Sequence, residues 1–329
     1  MPVSRRGGFD YEDEFEDEDD SRMKPSHRFL LILFVSLALI VVLSPLVKVG
    51  TDAMVTHWPW MAKRLRFSDG HYHYGRVSRR MLMVIVLGLL VAYRKQLHVS
   101  TLMGRAFQRR PGWPKVLALG FGVGVLTLAL LFGVSTALGA WQLEANQRSW
   151  GAGAALLAKF LISAAVVGLV EEALFRGFLL QAFMQGISVT AAVILSSVIY
   201  SITHFLRGSL TVRVGFDGLI GLKALEAFFE PLASALTPGG LAEPVAASFV
   251  GLFLTGVVLA QAYLRTGALY LPIGLHAGLV FTLKAQSLWW TAAPDAPRWL
   301  HGGNYTSAGV LSWVFLLLLW AGIHLATRS

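Results

Sequence analysis

Eight long apolar runs divide this chain, at 29–49, 79–95, 115–139, 153–184, 188–206, 246–265, 268–285 and 307–326. They leave little room for any fold except a bundle in lipid. A helix needs about 20 apolar residues to cross a bilayer. Backbone polar groups inside lipid must be satisfied within the segment, which favours helices. Composition agrees: only 14% of residues are charged, against about 25% in soluble domains. The expected fold is therefore all-α, a polytopic transmembrane bundle of about eight helices spanning 29–329. The second and seventh runs are short. Pro272 and Gly274 predict a break in the seventh, of a kind that neighbouring groups can satisfy in a membrane.

Ahead of the bundle, residues 1–28 read as a disordered, solvated tail, with nine acidic residues between Asp10 and Asp20. No cleavable leader is expected, since the first run begins near Phe29, behind that tail, without a small-residue cleavage site. The formal net charge is +9, but the basic residues cluster between apolar runs, as in membrane loops. That pattern argues against nucleic acid as a partner and for the bilayer itself. With the N-terminus inside, the two sides carry 13 Lys and Arg each, so charge asymmetry leaves the orientation open. Cysteine is absent, which excludes disulfides and thiolate chemistry. Two connections are long. Residues 50–78 hold Trp58, Trp60, Lys63, Arg64 and Arg66, a mixture suited to the headgroup layer. Residues 216–236 place apolar and charged side chains as in an interfacial amphipathic helix, packed on the bundle or acting as a gate.

Among the acidic residues, only Glu171 and Glu172 lie deep in an apolar run. A single charge at the bilayer centre costs at least ~2.5–3.5 kcal/mol on insertion scales, so two side by side need a reason. Glu172 and Arg176 are four residues apart and share a helix face. Glu171 is turned about 100° away and has no local partner, which suits a carboxyl group poised for general acid–base work. His204 ends the next run. With the turn between these helices centred near Gly186, Glu171 and His204 lie roughly 22 and 27 Å from the same membrane face. His276 lies roughly 15 Å in from a turn near Thr266, a looser match. Two carboxylates, an arginine and two histidines on three helices form an acid–base or metal-site inventory. Tyr200 and Phe175 read as packing residues, His324 has no assigned role, and the remaining histidines fall in connections or near their edges.

These residues resemble a known pattern. Glu171-Glu172-Ala-Leu-Phe-Arg176 is similar to the EExxxR motif of the CPBP family, which comprises CAAX prenyl endopeptidases and bacteriocin-processing or immunity proteins. Tyr200-Ser-Ile-Thr-His204 resembles its FxxxH motif, with Tyr in place of Phe. His276-Ala-Gly-Leu-Val280 resembles its HxxxN motif. The resemblance covers roughly residues 150–285. It implies an intramembrane glutamic endopeptidase that needs no cofactor or metal, acting on a membrane-embedded or lipid-modified peptide, and a multi-pass protein of a bacterial inner membrane. Carried over, Glu171 is the general base and His204 helps activate water. Glu172 and Arg176 pair, and His276 donates to the oxyanion. The family's Asn falls on Val280, which cannot donate, so either another group such as Thr282 or a backbone N–H substitutes or activity is weak. Three other readings stand beside this one: a zinc protease using the same Glu and His side chains, a non-catalytic scaffold or immunity protein, and, more distantly, a transporter.

Overall fold

A computed structural model describes residues 25–144, 149–206, 209–235, 237, 244–302 and 306–327. Each of the eight apolar runs is helical in it. They correspond to α1 (Pro25–His57), α3 (Gly75–Ala92), α5 (Trp113–Ala137), α6 (Trp150–Glu172) continued to Met184, α8 (Val189–Phe205), α10 (Pro244–Thr266), α11 (Tyr270–Ala285) and α13 (Val310–Ala326). Four stretches are long and apolar enough to cross a membrane unaided: His27–His57, Trp113–Ala137, Trp150–Met184 and Val245–Thr266. The chain is a polytopic helical membrane protein. Of the expected acidic tail, residues 1–24 lie outside the described residues, and 25–28 already belong to α1.

Shorter pieces join the long helices. They are α2 (Pro59–Leu65), α4 (Val99–Ala106), α7 (Gln181–Met184), α9 (Ile220–Ala235) and α12 (Arg298–His301). Two miniature antiparallel ladders add to the helical plan. β1 (His71–His73) pairs with β3 (Thr211–Arg213), and β2 (Trp141–Leu143) pairs with β4 (Trp290–Ala292). The first ladder ties the connection after α1 to the one after α8.

Helix α1 runs past the expected 49 to His57, so Asp52 is a helical residue rather than a loop residue, one turn after Lys48. The reason is a buried polar knot. Lys48 Nζ donates to both Asp52 oxygens (3.1 and 2.8 Å) and to the carbonyls of Arg213 (2.9 Å) and Gly215 (2.6 Å). The Tyr72 hydroxyl and the Gly215 N–H donate to the same carboxylate, at 2.6 and 3.1 Å. Burial and the neighbouring Asp52 charge push the Tyr72 phenol far above its ordinary range. Helix α9 packs on the bundle, with Gly221 so close to α1 that a Cβ there would come within 2.1 Å of the Val41 carbonyl.

The expected break in the seventh run is absent. Helix α11 is continuous from Tyr270, and Pro272 falls in its first turn, where a missing N–H costs nothing. Gly274 is a packing residue. Gly120 and Gly124 of α5 face Gly274 and Gly278 of α11, and a Cβ on any of the four would come within 2.2–2.7 Å of the opposing backbone. Such small-residue faces let membrane helices approach closely where hydrophobicity gives no drive. On another side of α11, Gly168 of α6 abuts the Ile273 carbonyl and the Ala277 N–H. Helix α11 is thus held by glycine contacts from both α5 and α6, and His276 lies between those contacts.

Candidate active site

The site starts from the way α6 ends. Ser149 caps its N-terminus, accepting from the Ala152 N–H, and the helix is apolar from Phe160 to Val170, ahead of Glu171 and Glu172. From Ala173 to Leu180 the backbone widens into a π-helix before α7. Such widenings are rare and concentrate at functional sites. This one is held by Gln181, whose amide donates to Leu102 O (3.1 Å) on α4 and to Gly177 O. Ser188 caps the start of α8, which returns antiparallel and carries Tyr200 and His204 to the level of Glu171. The turn from α10 to α11 uses Gly267 with φ of 63°, a left-handed position that favours glycine, and its N–H bonds to Tyr263 O (2.7 Å).

These elements bring all five expected polar residues together. Arg176 Nη1 donates to Glu172 Oε1 at 2.7 Å, and its Nη2 donates to the Gly256 carbonyl of α10 at 3.0 Å. The same Glu172 oxygen accepts from His276 Nδ1 at 2.7 Å. Glu172 and Arg176 are almost fully buried. Glu171 stands apart from this tight group, with 30% of its side chain exposed. Its Oε2 faces His276 Nε2 at 3.8 Å and His204 Nε2 at 3.9 Å, and makes no hydrogen bond among the described residues. His276, the loosest member on depth alone, is buried and bonded to Glu172.

The partners fix the histidine tautomers. His204 Nδ1 lies 2.8 Å from the Tyr200 carbonyl. A carbonyl only accepts, so Nδ1 carries the proton. His276 Nδ1 meets a carboxylate oxygen already paired with Arg176, so it too donates. Both Nε2 atoms then turn toward Glu171. In their neutral forms they present lone pairs, and three acceptors converge on one gap. Those 3.8 and 3.9 Å separations are too long for direct hydrogen bonds but suit a bridging water.

Tyr200 packs at the centre of the cluster, in keeping with its reading as a packing residue. Its ring centre lies 4.5 Å from that of His204 and 6.2 Å from that of His276, and the Arg176 guanidinium carbon lies 4.8 Å from it. Phe175 packs edge-on against it. It stands four residues before His204, one turn along the same helix face. Of the substitutes considered for the missing Asn, Thr282 is committed elsewhere: its hydroxyl donates to the Gly278 carbonyl at 3.0 Å. Val280 is half-buried, one turn beyond His276. His57, His71, His73, His98, His301 and His324 take no part in this cluster. His301 is buried against the Trp141 edge, and His324 stacks on Trp320.

Comparison with known families bears on the same stretch of chain. Residues 153–282, less than half of the chain, match the family model described as type II CAAX prenyl endopeptidase Rce1-like. Over that segment the chain is similar to the Rce1-like family. Every residue of the cluster, Glu171, Glu172, Arg176, Tyr200, His204 and His276, falls within the Rce1-like segment, as does Gly256. The family is one of membrane endopeptidases. No curated protein and no solved structure matches the chain.

Proposed function

We propose that this chain is an intramembrane endopeptidase that hydrolyses a peptide bond in a membrane-embedded or lipid-modified substrate, using water activated by Glu171, in a bacterial inner membrane. The observation that carries the reading is the Glu171 carboxylate oxygen, buried and unbonded among the described residues, facing two imidazole nitrogens across a gap of water size. A water in that gap donates one proton toward Glu171 and the other toward His204 Nε2. Glu171 removes a proton as the water oxygen bonds to the scissile carbonyl carbon. The carbonyl electrons move onto oxygen. When the tetrahedral intermediate collapses, the C–N bond breaks and the amine leaves with the proton held by Glu171. Glu172 and Arg176 do no proton transfer; they hold His276 through its Nδ1–H. His276 Nε2 donates to the oxyanion as the imidazolium; with Glu171 protonated at that stage, the formal charges of Glu172, Arg176, His276 and the oxyanion cancel.

The test is cleavage of a fluorogenic farnesylated peptide by purified protein. Glu171→Gln and His204→Ala are each expected to lower kcat by at least ~10²-fold, the lower end for losing a positioned acid–base group. Activity that survives both substitutions sinks the reading. Stoichiometric zinc, with activity lost to chelator and restored by zinc, reassigns the same side chains to a metal. A second reading, a non-catalytic scaffold, is favoured by Val280, which supplies no donor where the family pattern has one. It predicts that Glu171→Gln leaves biological function intact.

A further inference from the structure

The face of the bundle where α1 begins carries positive charge and, among the described residues, no carboxylate. Arg94, Lys95, Arg105, Arg109, Arg110 and Lys115 lie in or beside the α3–α5 connection, which contains no acidic residue. All of them except Arg105 are well exposed. The α7–α8 and α10–α11 turns add no acid to this face. The connection is fixed in place by packing. Leu97, Leu102 and Ala106 are buried with Phe29 of α1 in one apolar cluster. Arg110 donates to the Thr266 carbonyl at 2.7 Å, and the Leu269 N–H donates to the Ala106 carbonyl at 2.9 Å. Like charges gathered on one surface repel one another, a cost that a covering anion removes.

The chain itself holds the matching charge. Nine acidic residues stand between Asp10 and Asp20, ahead of α1. From Asp20 to Pro25, where α1 starts, an extended chain spans at most ~18 Å. Arg28, in the first turn of α1, donates to the Gln96 carbonyl at 2.8 Å. The acidic stretch is therefore tethered beside Arg94 and Lys95. A short tether gives an effective concentration on the order of mM. Anionic lipid headgroups are the rival occupant, and the same nine carboxylates repel them.

We propose that the acidic segment Asp10–Asp20 docks on the basic α3–α5 connection and serves as an intramolecular counterion for this face. The docked segment covers α4. Through the Leu102 carbonyl, which accepts from the Gln181 amide at 3.1 Å, α4 is joined to the end of the π-helix that bears Arg176. The inference does not depend on what the site cleaves.

The chain has no cysteine, so a pair can be introduced into full-length protein and joined with a short bismaleimide in phosphatidylcholine nanodiscs. Phe15→Cys keeps every carboxylate of the segment. Its partners, used one at a time, are Gln96→Cys on the basic connection and Ile187→Cys on the uncharged α7–α8 turn. Both places adjoin the start of α1, since the Phe29 and Phe183 rings are 6.3 Å apart, and both side chains are exposed. Cross-linking to the Gln96 position is expected to exceed that to the Ile187 position at least ~10-fold at low salt, a preference of about 1.4 kcal/mol that a few exposed ion pairs supply. The preference should vanish in about 1 M salt, where the Debye length is ~3 Å, and in a variant whose Asp10–Asp20 carboxylates are changed to amides. Equal cross-linking at low salt overturns the inference, and so does a preference that high salt or the amide variant leaves intact. Phosphatidylglycerol nanodiscs separate the tail from lipid. A preference that survives there supports the docked tail, and one that disappears gives the face to lipid headgroups and overturns the inference.

Discussion

Arg176 shows how two adjacent carboxylates become tolerable in lipid. Its guanidinium meets Glu172, bonds the Gly256 carbonyl on a different helix, and lies over the Tyr200 ring. Removing one partner of a buried pair leaves an uncompensated charge and costs about 3–5 kcal/mol. Arg176→Ala should therefore lower stability by that order, read as a reduced Tm in detergent, and a variant melting with wild type removes Arg176 from the architecture. Arg176→Lys should recover only part of the loss, because an ammonium on a flexible stem lacks the planar fork that serves two acceptors at fixed angles. The Glu172–Arg176 pair was readable from four-residue spacing, and the pairing holds even though the backbone beyond Glu172 is π-helical. The second bond that Glu172 accepts, from His276 Nδ1, was not readable. It joins residues 104 positions apart, and depth counted along straight helices cannot resolve such a contact.

At the scale of elements, position depends on glycine. Helix α11 carries His276, and its closeness to α5 comes from Gly120, Gly124, Gly274 and Gly278. A side chain at Gly278 would put its Cβ 2.3 Å from the Phe121 carbonyl, with backbone and no flexible tip to yield. Gly278→Val should push the helices apart, lowering both Tm and cleavage, because His276 moves with its helix. Gly122 of α5 provides the contrast, since nothing lies within 4 Å of a Cβ there. Gly122→Ala should be neutral or stabilising by about 0.5–1 kcal/mol, the helix penalty of glycine. Equal effects at the two positions would show that the close face is not what holds α11. In the sequence alone, Gly274 beside Pro272 predicts a broken helix. The proline is harmless in the first turn and the glycine is an interface residue, and only the partner helix reveals either role. The Lys48–Asp52 knot was unreadable for a related reason: an aspartate just past an apolar run reads as a loop residue until the returning 211–215 segment supplies carbonyls to bury it and its lysine against.

For the whole molecule, the apolar runs were visible because lipid imposes a length and a polarity on every crossing segment. The sides on which connections emerge follow from the helix order rather than from charge. If consecutive long helices alternate across the membrane, the start of α1, the α3–α5 connection, the α7–α8 turn and the α10–α11 turn share one face. Contacts support that grouping. Arg28 donates to the Gln96 carbonyl at 2.8 Å, Arg110 to the Thr266 carbonyl at 2.7 Å, and the Leu269 N–H to the Ala106 carbonyl at 2.9 Å. The opposite face carries both ladders, β1–β3 and β2–β4. Equal basic charge on the two sides says nothing about which face is cytoplasmic, but it does not disturb the grouping itself. The chain contains no cysteine, so single cysteines can be introduced without background. Cysteines at Gln96 and Gln108 should react with an impermeant maleimide from one side of sealed vesicles, and cysteines at Asp69, Thr211 and Thr291 from the other. Thr211 and Thr291 labelling from opposite sides would break the alternation between α8 and α11. Because α8 carries His204 and α11 carries His276, it would also overturn the common direction in which these helices bring their imidazoles to Glu171.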